Sequence, residues 1–448
     1  MINKNEEYIV EIIDNGIDGE GIAKIDGYTL FVDGAIKGEK IKVLVVKANK
    51  TYGYGKILEI IEKSPDRVEP ICPQYKRCGG CVLQHMSYEA QMRYKEEKVK
   101  KTLNKFLGDY SYQFNSIIGM GIPYNYRNKA QYPCQNGKIG FYSPRTHDVI
   151  ENDYCYIQDE EADKLAKRSF ELLMQFGNEC YDETNASGNI RHIMVRIGKN
   201  TGEMMLVIIT NKEELLGTEE MIDTLKNEFA NLKSIVQNIN SKSTNIIMGQ
   251  KCITLYGEDY IVDTLGEYNF KISPLSFYQV NPVQTEALYY TAIEMADLKG
   301  DETAFDLYCG IGTISSFLSS KCKKVYGVEI VPEAIEDAKE NAQLNNISNI
   351  DFRCGAAEEL IPKMYEEENI SADVVFVDPP RKGCDVELLN TIIKMKPKKM
   401  VYISCNVATL GRDIKYLVDN GFELKEVQPV DQFPQTAHVE SIAVLERR

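Results

Sequence analysis

From about residue 272 onward, short apolar strands alternate regularly with helices, and this βαβ pattern constrains the fold more than any other feature. Such alternation predicts an α/β fold, an open Rossmann-like sheet of mostly parallel strands covered by helices. The final two strands, 422–430 and 440–446, are predicted to pair as an antiparallel hairpin. The other predicted strands are 304–308, 325–330, 350–354, 374–377 and 400–404, and the helices between them are 313–318, 332–345 and 407–420.

The chain before residue 272 is organised differently. Residues 1–65 carry Val-, Ile- and Tyr-rich runs separated by glycine turns, which predicts a five-stranded β-barrel of the oligonucleotide-binding type. Residues 66–271 are predicted to form a central α+β domain. It contains a helix at about 87–106, with Ser87 as its N-cap, that can dock on the catalytic domain 272–448.

Length and composition exclude a disordered or membrane-spanning chain. Of its 448 residues 43% are hydrophobic, yet no apolar run approaches the ~18–20 residues that span a bilayer. The polar N-terminus lacks the pattern of a signal peptide. We therefore expect a cytoplasmic protein with no membrane association and no obligate protein partner. Twelve cysteines in such a chain favour metal binding or catalysis over disulfide bonds.

Two local windows predict an RNA partner despite the net charge of −15. The first window, 40–56, holds five lysines and two tyrosines and no acidic residue. The second window, 124–147, holds four Lys or Arg residues and five Tyr or Phe residues, again with no acidic residue. Aromatic rings can stack on bases while Lys and Arg bind phosphates. A solvated surface is the alternative interpretation of either window taken alone.

A cofactor site is predicted at the end of the strand 304–308. Gly310 and Gly312 follow this strand, where the backbone can approach a ligand closely. Glu329 ends the next strand, at a spacing suited to binding ribose hydroxyls. Position 315 is Ser, so the glycine fingerprint for a pyrophosphate is incomplete. The pattern thus favours S-adenosylmethionine over NAD.

Two further strand ends carry reactive side chains. Asp378 is followed by two prolines, which stiffen the loop after its strand, and Cys405 follows the strand 400–404. Both residues should lie on one rim of the sheet. A buried structural thiol is the ordinary interpretation of such a cysteine. A thiol beside a methyl donor is also what a pyrimidine C5 methyltransferase requires.

A separate group of cysteines has spacing suited to a metal centre. Cys72, Cys78 and Cys81 lie close together, and Cys155 is a remote fourth candidate. Zinc sites generally use two Cys-x2-Cys pairs, and only one is present here, whereas iron–sulfur clusters accept irregular spacing with one distant ligand. From spacing alone, both metals remain open.

These motifs together resemble the RNA 5-methyluridine methyltransferases, specifically the 23S rRNA (uracil-5-)-methyltransferase type, over essentially the whole chain. The resemblance includes a barrel similar to a TRAM domain and the cysteine group. Cys134 and Cys384 depart from the family pattern, and we interpret both as packing thiols. The stretches that carry the resemblance are 273–281, 306–313, 328–334, 376–383, 402–410 and 433–440.

The resemblance implies roles for individual residues. Cys405 is expected to be the nucleophile and Glu440 the proton acceptor. The residues expected to bind S-adenosylmethionine are Gln279, Tyr308, Glu329 and Asp378. The expected ligands of a [4Fe-4S] cluster, structural or involved in RNA binding, are Cys72, Cys78, Cys81 and Cys155.

The implied activity is C5 methylation of uridine, with 23S rRNA favoured and tRNA as the alternative. Attack of a Cys405 thiolate on C6 would activate C5 for methylation. Glu440 would then remove the C5 proton. An exocyclic-amine methyltransferase, suggested by the Asp-Pro-Pro loop, and a non-catalytic RNA-binding protein are the competing hypotheses.

Overall fold

The computed structural model describes residues 2–448, and its first part is a small β-barrel. Its strands hydrogen-bond in the order β1-β5-β6-β4-β3-β2. The sheet has six strands where the sequence pattern predicts five, because the two-residue β2 is too short to show an alternation of apolar and polar residues. In β6, a Cβ on Gly55 would stand 2.4 Å from Val43 Cγ2, so only glycine allows these strands to pack this closely. The strands are β1 (Glu7–Glu11), β2 (Asp14–Asn15), β3 (Gly21–Ile25), β4 (Tyr28–Val32), β5 (Lys40–Ala48) and β6 (Tyr52–Glu62).

The central part is built on a second six-stranded sheet. Its order is β15-β14-β13-β12-β8-β9, and helices α2 and α3 contribute to the apolar core on one of its faces. Strands β16 and β17 form a separate hairpin. The elements are α1 (Tyr88–Leu107), β7 (Gln113–Phe114), β8 (Lys129–Gln135), β9 (Lys138–Ile139), β10 (Phe141–Tyr142), β11 (Val149–Ile150), α2 (Glu160–Gln175), β12 (Ile190–Ile197), β13 (Met204–Thr210), α3 (Thr218–Glu228), β14 (Leu232–Ile239), β15 (Lys251–Gly257), β16 (Ile261–Leu265) and β17 (Tyr268–Ile272).

The C-terminal part is the α/β sheet that the sequence predicts. Its strand order is β20-β19-β18-β21-β22-β24-β23-β7. The first five strands are parallel, and β23 and β24 form the predicted antiparallel hairpin. The elements are α4 (Pro282–Ala296), β18 (Thr303–Leu307), α5 (Thr313–Ser319), β19 (Lys324–Glu329), α6 (Pro332–Leu344), β20 (Ile350–Cys354), α7 (Ala357–Glu366), β21 (Val374–Val377), α8 (Val386–Met395), β22 (Lys399–Ser404), α9 (Val407–Asp419), β23 (Phe422–Val430) and β24 (Glu440–Arg447).

Helix α1 connects the central part to this sheet. Ser87 caps it by accepting a hydrogen bond from the backbone N–H of Ala90, which offsets one unpaired donor of the first turn. Val99 and Leu103 belong to the apolar core that α7, α8 and α9 form on one face of the sheet. Gly411 of α9 leaves room for Phe106, whose ring would stand 2.5 Å from an added Cβ. Across residues 2–448, none of the helices combines the length and apolarity needed to cross a bilayer.

Candidate active site

The carboxyl ends of three neighbouring parallel strands bring the candidate residues to one rim. Leu307 of β18 lies opposite Val377 of β21, and Val377 lies opposite Tyr402 of β22. Tyr308 and Asp378 directly follow the first two strands. Tyr308 has φ +67°, a left-handed conformation that costs a bulky residue energy and that clusters at ligand sites.

The glycine loop after β18 is open on the side where a ligand would lie. Gly310 has φ +54°, and a Cβ added there would meet no atom within 4 Å. Gly312 has φ +80° and packs against Phe352, which would stand 2.8 Å from an added Cβ. Gly310 therefore leaves free space above the loop, and Gly312 allows helix α5 to begin close to the sheet.

Glu329 ends β19 beside this loop. Its carboxylate accepts hydrogen bonds from the backbone N–H of Gly310, at 3.2 Å, and of Val331, at 3.0 Å. These two bonds fix the carboxylate at the mouth of the glycine loop. Because an oxygen can accept more than one hydrogen bond, the fixed carboxylate can also accept from the hydroxyls of a bound ribose.

The segment that carries Gln279 is held by neighbours from both large domains. Asn128 donates through its side chain to the carbonyl of Gln279, at 2.9 Å. Buried Arg196 donates to the carbonyl of Ser276, and the Ser276 hydroxyl donates to Asp337, at 2.7 Å. The backbone of 273–281 is thereby placed beside the C-terminal α/β sheet, with the Gln279 side chain half-buried.

Cys405 and Glu440 are brought together by the pairing of β22 with β24. Ser404 and Ser441 are the last opposed residues of this antiparallel pair. Cys405 follows the first serine and Glu440 precedes the second, so the next opposed positions belong to these two residues. Cys405 is partly exposed, whereas Glu440 is 3% exposed. Within residues 2–448, Glu440 Oε2 finds no hydrogen-bond partner.

Burial and a neighbouring carboxyl group raise the pKa of each of three acids near this rim. Burial raises the pKa of Asp306 to about 7, although the Ser315 hydroxyl donates to it. Burial, followed by the charge of Asp306, raises the pKa of Asp378. Burial, followed by the charge of Asp378, raises the pKa of Glu440 well above its ordinary value. Such crowding favours either bound protons or a bound cation, and the sulfonium of S-adenosylmethionine is a cation.

The environment of Cys405 disfavours the thiolate form of its side chain. Burial raises the pKa of its thiol to about 11, and the charges of Glu440 and Asp378 add to this effect. Arg381 acts in the opposite direction and lowers the pKa of the thiol. We did not identify Arg381 as a functional residue from the sequence. Its position directly after Asp378-Pro379-Pro380 is the sequence feature that could have indicated a role at this rim.

The four cysteines of the predicted metal centre line a single cavity of about 510 Å³. All four are free thiols. Among residues 2–448, the structure shows no group of three or more His, Cys, Asp or Glu side chains arranged to hold a metal ion. The cavity extends to Arg381 and His438 at the active-site rim. Cys134 and Cys384 lie elsewhere and are buried.

The structure corrects our interpretation of the two basic windows in part. In the first window, Lys40 pairs with Glu62 and Lys42 with Glu7, acids that neighbouring strands supply. In the second window, Arg127 and Lys129 line the cysteine cavity, where burial lowers the pKa of Lys129 to about 7. Lys47 and Lys50 of the first window are exposed on the barrel, and the expectation of an RNA contact stays with them.

Comparisons with known proteins agree with this geometry. The chain is 52% identical to an uncharacterized RNA methyltransferase of Halalkalibacterium halodurans over 449 residues, covering 99% of this chain and 98% of that protein. It is 51% identical to an uncharacterized RNA methyltransferase of Clostridium tetani, covering 99% and 97%.

A solved structure is similar over the whole chain. It is the Pyrococcus abyssi tRNA (uracil-54, C5)-methyltransferase in complex with S-adenosyl-L-homocysteine, with a TM-score of 0.79 and 25% identity over 98% of this chain and 99% of that one. A TRAM domain model matches residues 3–58. The tRNA (uracil-5-)-methyltransferase model matches residues 87–448, and the chain, an S-adenosylmethionine-dependent RNA methyltransferase, therefore belongs to that family.

Proposed function

We propose that this enzyme methylates C5 of a uridine in RNA through a covalent adduct between Cys405 and C6, and that Glu440 removes the C5 proton. The observation that carries the proposal is the opposition of Cys405 and Glu440 across the ends of β22 and β24. A thiol and an unpartnered carboxyl beside a predicted methyl-donor site are the two groups that this reaction needs.

The proposed steps account for each bond and proton. The Cys405 thiolate adds to C6, and the electrons of the C5–C6 double bond make C5 nucleophilic. C5 would then take the methyl group as the bond between that methyl and the donor sulfur breaks, which leaves a neutral thioether. Glu440 accepts the proton from C5, the C5–C6 double bond forms again, and the bond between C6 and sulfur breaks. The thiolate is regenerated.

The four proposed S-adenosylmethionine-binding residues would contact different parts of the ligand. Glu329, fixed by two backbone donors, suits the ribose hydroxyls. Asp378, close to Asp306 and Glu440, suits the cationic part of the ligand. Tyr308 and Gln279 stand beside the glycine loop and in the segment 273–281, where they would contact the remaining parts.

We further propose that Cys72, Cys78, Cys81 and Cys155 hold a [4Fe-4S] cluster. Support comes from the four thiols that line one cavity and from the single Cys-x2-Cys pair, which suits a cluster better than tetrahedral zinc. With four cysteine ligands the cluster would have no open iron position. It would therefore stabilise the fold or contribute to RNA binding, and it would not take part in methyl transfer.

The proposed RNA target is 23S rRNA, with tRNA as the alternative. The cysteine group and TRAM domain support the rRNA assignment through the resemblance above, whereas the Pyrococcus abyssi enzyme is named for uracil 54 of tRNA. Mapping 5-methyluridine in rRNA and tRNA from a knockout strain decides between them. Loss from 23S rRNA alone supports the proposal, and loss from tRNA alone contradicts it.

The test of the chemistry uses two substitutions that should stop the reaction at different steps. Cys405→Ala should bind S-adenosylmethionine and RNA but form neither adduct nor product. Glu440→Gln should form the adduct and transfer the methyl group, then stay attached to methylated RNA. The attached species is visible as a band that resists denaturation.

Two matched controls separate these effects from general damage. Cys252→Ala removes an exposed thiol of the central sheet, and Glu446→Gln alters another acid of β24, so both should turn over normally. A Cys405→Ala enzyme that still makes 5-methyluridine contradicts the nucleophile assignment and favours an exocyclic-amine or other mechanism. If both variants trap adducts, the nucleophile is another cysteine, with Cys309 and Cys384 next to test.

A further inference from the structure

The loop that leads into Glu440 is buried but irregular. We call residues 431–439 the base loop, since Glu440 directly follows them. Asp431 and Gln432 are fully buried and Gln435 is 1% exposed. Gln435 also has φ +70°, a left-handed conformation that a non-glycine residue keeps only where its surroundings hold it.

The side-chain amide of Gln91 holds Gln435 through two hydrogen bonds. The backbone N–H of Gln435 donates to Gln91 Oε1, at 3.0 Å, and Gln91 Nε2 donates to Gln435 Oε1, at 2.9 Å. The Gln435 carbonyl accepts from the backbone N–H groups of Val82 and Leu83, each at 3.0 Å. These contacts come from the segment directly after Cys81, so they tie the cysteine loop to the base loop.

The same face of helix α1 contacts the base loop at three more points. Positions 88, 91, 95 and 98 are three or four residues apart, which places them on one side of a helix. Tyr88 donates to Asp431 Oδ2, at 2.8 Å, and fully buried Lys95 forms an ion pair with the same carboxylate. Lys98 donates to the carbonyl of Ala437, at 2.7 Å.

Nothing comparable holds the carboxyl group of Glu440 itself. Its Oε2 has no hydrogen-bond partner in the described chain, so its direction depends on β24 and on the base loop before it. A small displacement of a proton acceptor reduces its rate strongly, because proton transfer requires hydrogen-bond reach.

We infer that Gln91 and Gln435 are positioning residues, which hold the base loop on helix α1 and so aim Glu440 at the rim where Cys405 lies. The inference rests on the proposed function of Glu440. It assigns a specific role to helix α1, the element that connects the cysteine segment to the catalytic sheet.

The test compares Gln91→Leu with the wild-type enzyme. Leucine is similar in size but cannot form hydrogen bonds, so the Gln435 amide loses its partner. In hydrogen-exchange mass spectrometry, peptides covering 431–441 should exchange at least about tenfold faster. In single turnovers, methyl transfer should change little, while release of methylated RNA slows about tenfold and the covalent adduct accumulates.

A second variant and a control keep the test decisive. Gln435→Gly removes the other side chain but accepts the left-handed backbone, and in a double-mutant cycle the two changes should be strongly non-additive. If Gln91→Leu folds poorly, the exchange and single-turnover measurements are made on Gln435→Gly instead. Gln113→Leu, an exposed glutamine at the edge of the same sheet, should behave as wild type.

The outcomes separate this inference from the proposed function. Unchanged exchange in 431–441, additive effects, or equal slowing of transfer and release would overturn the positioning role. Glu440→Gln is measured in parallel. If it releases product normally while Gln91→Leu still loosens the base loop, the positioning of the loop stands and the assignment of Glu440 as the base is wrong.

Discussion

At the scale of single residues, charge decides how reactive Cys405 can be. Burial and two nearby carboxyl groups raise the pKa of its thiol, and Arg381 is the cation that opposes them. When a methyl donor's positive charge lies between the carboxyl groups, their effect on the thiol is partly cancelled. We therefore expect thiolate formation to increase when the cofactor site is occupied.

We expect Arg381→Gln to make Cys405 less reactive. Removing the cation raises the pKa of the thiol further, so at pH 8 the thiolate fraction and the alkylation rate by iodoacetamide should fall about three- to tenfold. Peptide mapping by mass spectrometry isolates Cys405 from the other cysteines. The control is Lys382→Gln, the adjacent exposed cation, which should alkylate as wild type. An unchanged rate in Arg381→Gln contradicts this role.

The crowded carboxyl groups predict how cofactor binding depends on pH. Because the pKa of Asp306 is raised to about 7 and that of Asp378 is also raised, both carry more protons below neutrality. A protonated carboxyl attracts the sulfonium less, so affinity for S-adenosylmethionine should rise with pH through about 7 and then level off. Calorimetry in buffers of different ionisation enthalpy should detect proton release on binding.

Two variants check the source of that pH dependence. Asp306→Asn should flatten the rise in affinity, whereas Asp419→Asn, an exposed acid at the end of α9, should leave it unchanged. Affinity that falls as pH rises would contradict the electrostatic account.

At the scale of elements, the barrel presents a surface suited to single-stranded RNA. The rings of Phe31, Tyr52 and Tyr54 contact one another with centroids 5.9–6.0 Å apart, and Lys47 lies over the Tyr54 ring at 5.9 Å. Rings that bases can stack on, beside the exposed Lys47 and Lys50, favour contact with both bases and phosphates.

We expect reversal of Lys47 and Lys50 to glutamate to weaken RNA binding and reduce its salt dependence. Each lost phosphate contact removes about 0.7 from the slope of log affinity against log salt for a single strand. The matched control reverses Lys321 and Lys323, exposed lysines in the turn between α5 and β19 of the catalytic sheet. A salt slope that stays at the wild-type value would mean that the RNA binds elsewhere.

At the scale of the whole molecule, the cysteine cavity depends on the joining of distant segments. Cys155 lies 74 residues after Cys81 in the chain, yet both line the same cavity as Arg381 of the catalytic domain. A cluster at this position would link three parts of the chain.

We expect the protein purified without oxygen to be brown and to contain about four irons per chain. Cys155→Ser should lose most of the iron while the catalytic sheet still binds S-adenosylmethionine, since no cysteine of the cavity contributes to that sheet. Iron and acid-labile sulfide assays, visible absorption and calorimetry measure both properties. Stoichiometric zinc without iron contradicts the cluster, and Cys180→Ser is the control that should keep it.

The residue pattern is sufficient to predict the α/β fold and the rim of the candidate site. Apolar runs of strand length alternate with helical segments, and the carboxyl ends of adjacent parallel strands must lie on one edge of a sheet. Asp378 and Cys405 could therefore be assigned to the same rim without coordinates. Ser87 as the cap of α1 was also predictable, because capping depends only on local residues.

Tertiary structure alone decided which residues from distant parts of the chain meet. In the sequence, Lys95 is one of several lysines of the predicted helix 87–106, and docking of α1 buries it against Asp431. Gln91 carries no local signal for its pairing with Gln435, 344 positions away. The raised pKa values and the opposition of Cys405 to Glu440 likewise arise from packing and strand register. Local periodicity describes how a segment folds, and it holds no information on which surface that segment will meet.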